Sequence, residues 1–226
     1  MQAIGIDLGA SNIKGVVIDQ NGRELYRMQQ PTADTRQDDS DGSNWKAKVL
    51  QAVRDMKARF GQVAAIGLAA PGIANADNTA IACMPGRMFG IEHFHWGKFL
   101  GEKRVPVLND AHAALIAESS FGAGRNYQHI ALLTLGTGVG GGLLINGSLH
   151  QGFLQRAGHL GHISLQAASL SRTIANTPEG LELAIGDISL PQRSFGRFQH
   201  THELVQAYEA GDPFAAYVWL NSLQKL

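Results

Sequence analysis

The sequence predicts an α/β fold built of two related halves, and three observations carry that expectation. Short apolar runs bounded by glycine turns alternate with stretches in which apolar residues recur at helical spacing. The start of each half follows one pattern: Ile4-Gly5-Ile6-Asp7-Leu8-Gly9-Ala10-Ser11 and Ala131-Leu132-Leu133-Thr134-Leu135-Gly136-Thr137-Gly138 both set Leu-Gly and small or hydroxyl residues between apolar runs. At 226 residues, 44% of them hydrophobic, the chain is long enough to bury a sizeable core in one large domain or two modest ones. Two facing α/β domains are expected, residues 1–120 and residues 121–226.

Taken in order, residues 3–19 read as a strand, a Gly9-Ala10-Ser11 turn and a second strand, and Asn21-Gly22 then signals a hairpin, so the chain opens as a β-meander. Residues 32–43 turn polar, with Asp34, Asp38, Asp39 and Asp41, and lead into an amphipathic helix marked by Val49, Leu50, Val53, Met56 and Phe60. Residues 63–69 and 105–108 read as buried strands, the second followed directly by a helix over residues 111–119. Residues 122–126 are a joint between the halves. Beyond it, residues 130–135 and 142–145 are further strands. The segment from Asn126 to Gln155 carries no charged residue, but its glycines, from Gly136 to Gly147, favour a bent hairpin over a membrane span.

Composition narrows the function classes. Lys plus Arg and Asp plus Glu are balanced at 19 each, so no net field favours a nucleic-acid backbone or an anionic membrane. The single cysteine, Cys83, excludes an internal disulfide framework and a multi-cysteine metal site. The N-terminus reaches Asp7 with no basic and apolar leader, which sets a cytoplasmic address as the expectation.

Both glycine turns have the chemistry of a phosphate loop, because glycine and small hydroxyl residues let backbone N–H groups come close to phosphate oxygens. The plainer reading of each is a hairpin turn. Residues 136–141 superficially suit a dinucleotide fingerprint, but that motif opens a helix, and here Gly142-Leu143-Leu144-Ile145 continues as a strand. A carboxylate that accepts the proton of a substrate hydroxyl belongs at the carboxyl end of a strand in an open α/β sheet, and Asp110 stands there. Asn109 or Asp110 equally suits the N-cap of the helix that follows.

Five segments, in their order and approximate spacing, resemble the ROK family of sugar kinases: Asp7-Leu8-Gly9-Ala10-Ser11, Ala70-Pro71-Gly72, Asn109-Asp110-Ala111-His112, Leu135-Gly136-Thr137-Gly138-Val139-Gly140 and Gly158-His159-Leu160-Gly161-His162. The resemblance covers about residues 1–185 well. It implies an actin-like (ribonuclease H-like) ATPase fold and ATP-dependent phosphorylation of a hexose or N-acetylhexosamine hydroxyl, with ATP and Mg²⁺ required. It implies Asp110 as catalytic base and Gly72, Asn109, Asp110, His159, His162 and Glu182 as sugar contacts. Asp7, Gly9, Ala10, Ser11, Gly136, Thr137 and Gly138 would hold the nucleotide phosphates, Asp7 also serving Mg²⁺ indirectly. At His159 the family carries a Glu, and an imidazole in place of an acceptor-only carboxylate changes which sugar hydroxyls are paired.

Many members hold a structural zinc through one His and three cysteines, and residues 163–190 contain no cysteine, so no zinc is expected. An all-histidine site from His159, His162, His200 and His202 is the remaining metal alternative. The resemblance further implies a strand, a glycine-rich turn contacting adenosine and a last helix beyond Leu226. The second domain is accordingly expected to be incomplete, with an unpaired sheet edge and nucleotide affinity reduced more than sugar affinity. The expected partner is a small sugar, with neither nucleic acid nor membrane, and a homodimer is among the expected assemblies. Besides a kinase, the alternatives are a catalytically silent sugar-binding member and the family's regulator branch. The regulators carry a helix-turn-helix domain before the first phosphate loop, whereas that loop begins at residue 7 here.

Overall fold

The computed structural model describes residues 1–34 and 41–226, so Asp38 and Asp39 of the polar segment lie outside the described residues. The chain divides into two units, one of residues 1–125 with 153–155, the other of residues 126–152 and 156–226.

The first unit opens as the expected meander of β1 (Gln2–Leu8), β2 (Asn12–Asp19) and β3 (Glu24–Pro31). The Asp19 carboxylate closes the β2–β3 turn by accepting from the N–H groups of Asn21 and Arg23 at 2.8 and 2.9 Å. Helix α1 (Ser43–Phe60) lies between Gly42 and Gly61, whose φ angles of 71° and 76° suit glycine. Then come β4 (Ala65–Ala70), the short pair β5 (Ile73–Ala74) and β6 (Ile81–Cys83), helix α2 (Trp96–Leu100), β7 (Val107–Asn109) and α3 (Asp110–Phe121). The sheet order is β3-β2-β1-β4-β7, antiparallel through the meander and parallel from β1 to β4 to β7.

Alternation decides which face is buried. Ile4, Ile6 and Leu8 of β1, Ile13 and Val17 of β2 and Ile66 and Leu68 of β4 form one core with Trp45, Val49, Val53 and Met56 of α1. Each such side chain contributes about 1.5–3 kcal/mol on burial. The intervening residues, Gly5, Asp7, Lys14, Gly67 and Ala69, line the sheet's other face. Strand β7 starts at Val107, later than the apolar run suggests, because Pro106 has no N–H to give a ladder; its carbonyl accepts from Leu68 N–H at 2.9 Å.

The second unit begins with β8 (Ile130–Leu135), β9 (Val139–Ile145) and β10 (Ser148–Leu149) in the order β10-β9-β8. Residues 136–138 therefore turn β8 into β9, which starts at Val139 rather than at the expected residue 142, and no helix opens there. Helices α4 (Leu181–Ile185), α5 (Leu190–Arg193), α6 (Thr201–Glu209) and α7 (Pro213–Leu223) follow. Leu190, Phe198, Leu204, Ala215 and Val218 make the helical core. Helix α7 starts where Asp212 caps the N–H groups of Phe214 and Ala215 at 2.8 and 3.0 Å, with Pro213 in its first turn. Strand β8 has one neighbour among the described residues, and Leu133 and Leu135 on it are exposed. Among the described residues no helix is long and apolar enough to cross a membrane.

Candidate functional site

In the first unit the Gly9-Ala10-Ser11 turn is held from inside. Gly9 N–H donates to Asn12 O at 2.9 Å, and a Cβ on Gly9 would stand only 3.0 Å from that same oxygen. Thr32, fully buried, clamps the turn: its N–H donates to Ser11 O at 2.9 Å and its hydroxyl to Gly9 O at 2.6 Å. No pattern in the sequence singles Thr32 out, since its role depends on where β3 ends in space. Asp7, one residue before the end of β1, faces Lys14 on β2 across a 3.5 Å ion pair with both side chains well exposed.

The ends of β4 and β7 bring Gly72, Asn109 and Asp110 together. Gly72 has φ 100°, and a Cβ there would lie 2.6 Å from the Cys83 carbonyl, so glycine is required. The Asn109 amide N–H donates to Gly72 O at 3.0 Å, while its Oδ1 accepts from the N–H groups of Ala111 and His112 at 3.0 and 3.3 Å. Asn109 is thus the N-cap of α3 and Asp110 its first residue, the two side chains sharing the Ala111 N–H while Asn109 alone takes that of His112. Asn109→Ala should cost about 1–2 kcal/mol of stability through the lost cap, with a lower denaturant midpoint as the measured result.

Asp110 accepts from Ala111 N–H at 2.8 Å and shares a cavity of about 840 Å³ with Asp7 and Lys14. Its side chain reaches solvent along the cavity, but the protein crowded around it raises its pKa above the ordinary carboxylate value. The Ala111 N–H opposes that rise and the nearby Asp7 charge reinforces it. Asp7 and Asp110 are therefore close enough to repel, an arrangement a cation relieves, and carboxylate oxygens are the donors Mg²⁺ prefers. Asp7 is the carboxylate that the Mg²⁺ expectation names, and Lys14 already pairs with it.

In the second unit the β8–β9 turn is closed by Gly136 N–H donating to Gly138 O at 3.0 Å. Its remaining carbonyls are taken from behind, Gly136 O by Asp187 N–H at 3.0 Å and Thr137 O by Ile188 N–H at 2.8 Å. Glycine also lets the segment carrying the histidines lie directly on β9: a Cβ on Gly141 would meet Gly158 O at 2.6 Å, and one on Gly161 would meet Val139 O at 1.8 Å. That contact sets His162 within 3.4 Å (Nδ1 to Oε1) of Glu182, which is 8% exposed. The other Glu182 oxygen lies 3.0 Å from where a Gly138 Cβ would stand, so Glu182 joins His162 to the turn.

His200 and His202 stack at 5.5 Å, and His200 approaches Asp187 at 3.4 Å. Among the described residues no group of three or more His, Cys, Asp or Glu gathers to hold a metal, so the all-histidine alternative finds no such cluster.

The ROK family model matches residues 3–223. Among curated relatives, the chain is 33% identical over 167 residues to a glucokinase of Streptomyces coelicolor, covering 72% of this chain and 49% of the relative. It is 29% identical over 179 residues to an N-acetyl-D-glucosamine kinase of Haemophilus influenzae, covering 74% and 53%. The chain thus spans about half the length of these relatives. Among solved structures, a ROK hexokinase from Thermus thermophilus superposes with a TM-score of 0.79 at 28% identity, covering all of this chain and 74% of that one. The fold is the actin-like ATPase fold, mixed α/β with the strand-turn-strand opening in both units. A match running almost from end to end, over a fold shared with a solved ROK hexokinase, leaves one assignment: the chain belongs to the ROK family.

Proposed function

We propose that this chain phosphorylates a hydroxyl of a hexose or N-acetylhexosamine, with ATP as donor and Asp110 as the base. The observation that carries the reading is Asp110 itself, a carboxylate raised in pKa by its surroundings directly after β7, the parallel edge strand of the sheet, in one cavity with the Asp7 carboxylate near the end of β1. A base whose pKa is raised toward the working pH combines ionisation with a stronger pull on the hydroxyl proton. Asn109 holds Asp110 at the helix start and ties it to Gly72, so the carboxylate is positioned before a sugar arrives. By the resemblance, sugar contacts are assigned to Gly72, Asn109, Asp110, His159, His162 and Glu182.

Phosphate contacts are assigned to the turns of residues 9–11 and 136–138, where carbonyls are engaged from behind by Thr32, Asp187 and Ile188. Asp7 is assigned to Mg²⁺. When bound, ATP with Mg²⁺ supplies the transferable phosphoryl group with its charge partly neutralised. Names of the relatives support the substrate class, one being a glucokinase and another an N-acetyl-D-glucosamine kinase. The test is ADP release coupled to a detecting enzyme over a panel of hexoses and N-acetylhexosamines. Sugar-dependent ADP release from one or two members of the panel is the expected result. Sugar binding by calorimetry without ADP release would replace the kinase reading by that of a silent sugar binder.

A further inference from the structure

The β8–β9 turn gains its shape from a platform of residues 186–189, and that platform is in turn gripped by one side chain. Asp187 and Ile188 present their N–H groups to Gly136 O and Thr137 O. Gly186 packs so closely that a Cβ would stand 3.1 Å from Thr137 O and 3.3 Å from the Gly138 Cα. Arg193, on α5, reaches back over this segment with three different donors. Its Nη2 donates to Gly186 O at 3.1 Å, its Nε to Ser189 Oγ at 3.0 Å and its Nη1 to Ser222 Oγ on α7 at 2.6 Å. Ser222 is itself anchored to Val218 O at 2.8 Å. A planar guanidinium offers donors in several directions at fixed angles, which a lysine ammonium does not reproduce. Burial lowers the Arg193 pKa from its ordinary value and the Asp187 charge opposes this, so the side chain is held in place with a desolvation cost.

We propose that Arg193 is a positioning residue for the second phosphate turn, locking residues 186–188 to α7 so that Asp187 and Ile188 hold the Gly136 and Thr137 carbonyls away from the phosphates. This rests on reading residues 136–138 as a phosphate turn. A turn whose carbonyls are turned away offers its N–H groups to an anion, whereas a loosened turn presents carbonyl oxygens as well.

The test uses the full chain with Arg193→Met and Arg193→Lys, read by amide hydrogen exchange and by ATP and sugar titration. In Arg193→Met the protection of the Asp187 and Ile188 amides should drop at least about tenfold, the amides paired between β8 and β9 should keep theirs, and ATP should bind about tenfold more weakly with sugar affinity unchanged. Arg193→Lys, which reaches one acceptor of the three, should fall between. Unchanged protection at Asp187 and Ile188 overturns the proposal, as does a loss spread evenly over the β8–β9 amides, which marks a general stabiliser. Equal ATP affinity in wild type and Arg193→Met overturns it while leaving the phosphate-turn reading in place. A wild-type chain that binds no ATP fails the phosphate-turn reading itself, and the proposal with it.

Discussion

Asp110→Asn is expected to lower the rate of phosphotransfer by about 10²- to 10⁴-fold, the usual contribution of a positioned general base, with sugar affinity changed little. The amide keeps the shape of the carboxyl and keeps an oxygen for the Ala111 N–H, which Asp110 accepts at 2.8 Å, but it cannot take the hydroxyl proton. Turnover within a few-fold of wild type would remove Asp110 as the base. The pH dependence adds a second readout. Crowding by protein, reinforced by Asp7, raises the Asp110 pKa, so the acid limb of the kcat profile should lie above the ordinary aspartate value of about 3.9 and should be missing from any residual activity of the variant.

The same shift has a consequence for stability, and its sign is fixed. A carboxyl whose folded pKa is raised favours the folded state when protonated, so its contribution is full below the unfolded value and is lost as pH rises through the folded value. Above the folded pKa the wild type carries an ionised group that the fold disfavours, and the variant does not. Asp110→Asn should therefore melt at or above the wild-type temperature at pH 7, with the gain shrinking toward pH 4. A variant less active and no less stable separates a catalytic group from a structural one.

The second large effect is expected at Gly161. A Cβ there would sit 1.8 Å from the Val139 carbonyl oxygen and 2.8 Å from its carbon, both backbone atoms of β9, so no side-chain rotation relieves the overlap. Either β9 or the segment of residues 158–162 must move. Overpacking of this kind costs about 1–3 kcal/mol and occasionally more, and Gly161→Ala should fall at the upper end, about 3 kcal/mol by denaturant unfolding. Since the segment carries His159 and His162, the Glu182 pairing should shift with it and sugar affinity should fall too. Gly67→Ala is the control, because a Cβ on Gly67 has nothing within 4 Å and should change stability by less than about 0.5 kcal/mol. Equal stabilities for the two variants would show that β9 and the histidine segment do not pack as closely as the geometry requires.

These outcomes divide along what is local in the chain and what is not. The meander, α1, the two glycine turns and the strand-to-helix step at Asn109-Asp110 could be read from the sequence because each depends on periodicity, turn residues or capping within a few positions. The strands β5 and β6, of two and three residues, were not legible, being too short for any alternation to show. Nor were α4 and α5, of five and four residues, whose hold comes from packing rather than propensity.

Composition and motif order by themselves determined the fold class, the family and the choice of Asp110 as candidate base. Only the tertiary structure decided that Asn109 takes the capping duty, that Lys14 pairs with Asp7, that Thr32 clamps the first turn and that Asp187, Ile188 and Arg193 support the second. Apart from the Asn109 cap, which reaches two and three positions along the chain, those partners stand from 7 to more than 50 positions from the residues they hold. Nothing local selects them, because each bond exists only after separate strands and helices have packed, and the residue types involved are common elsewhere in the chain.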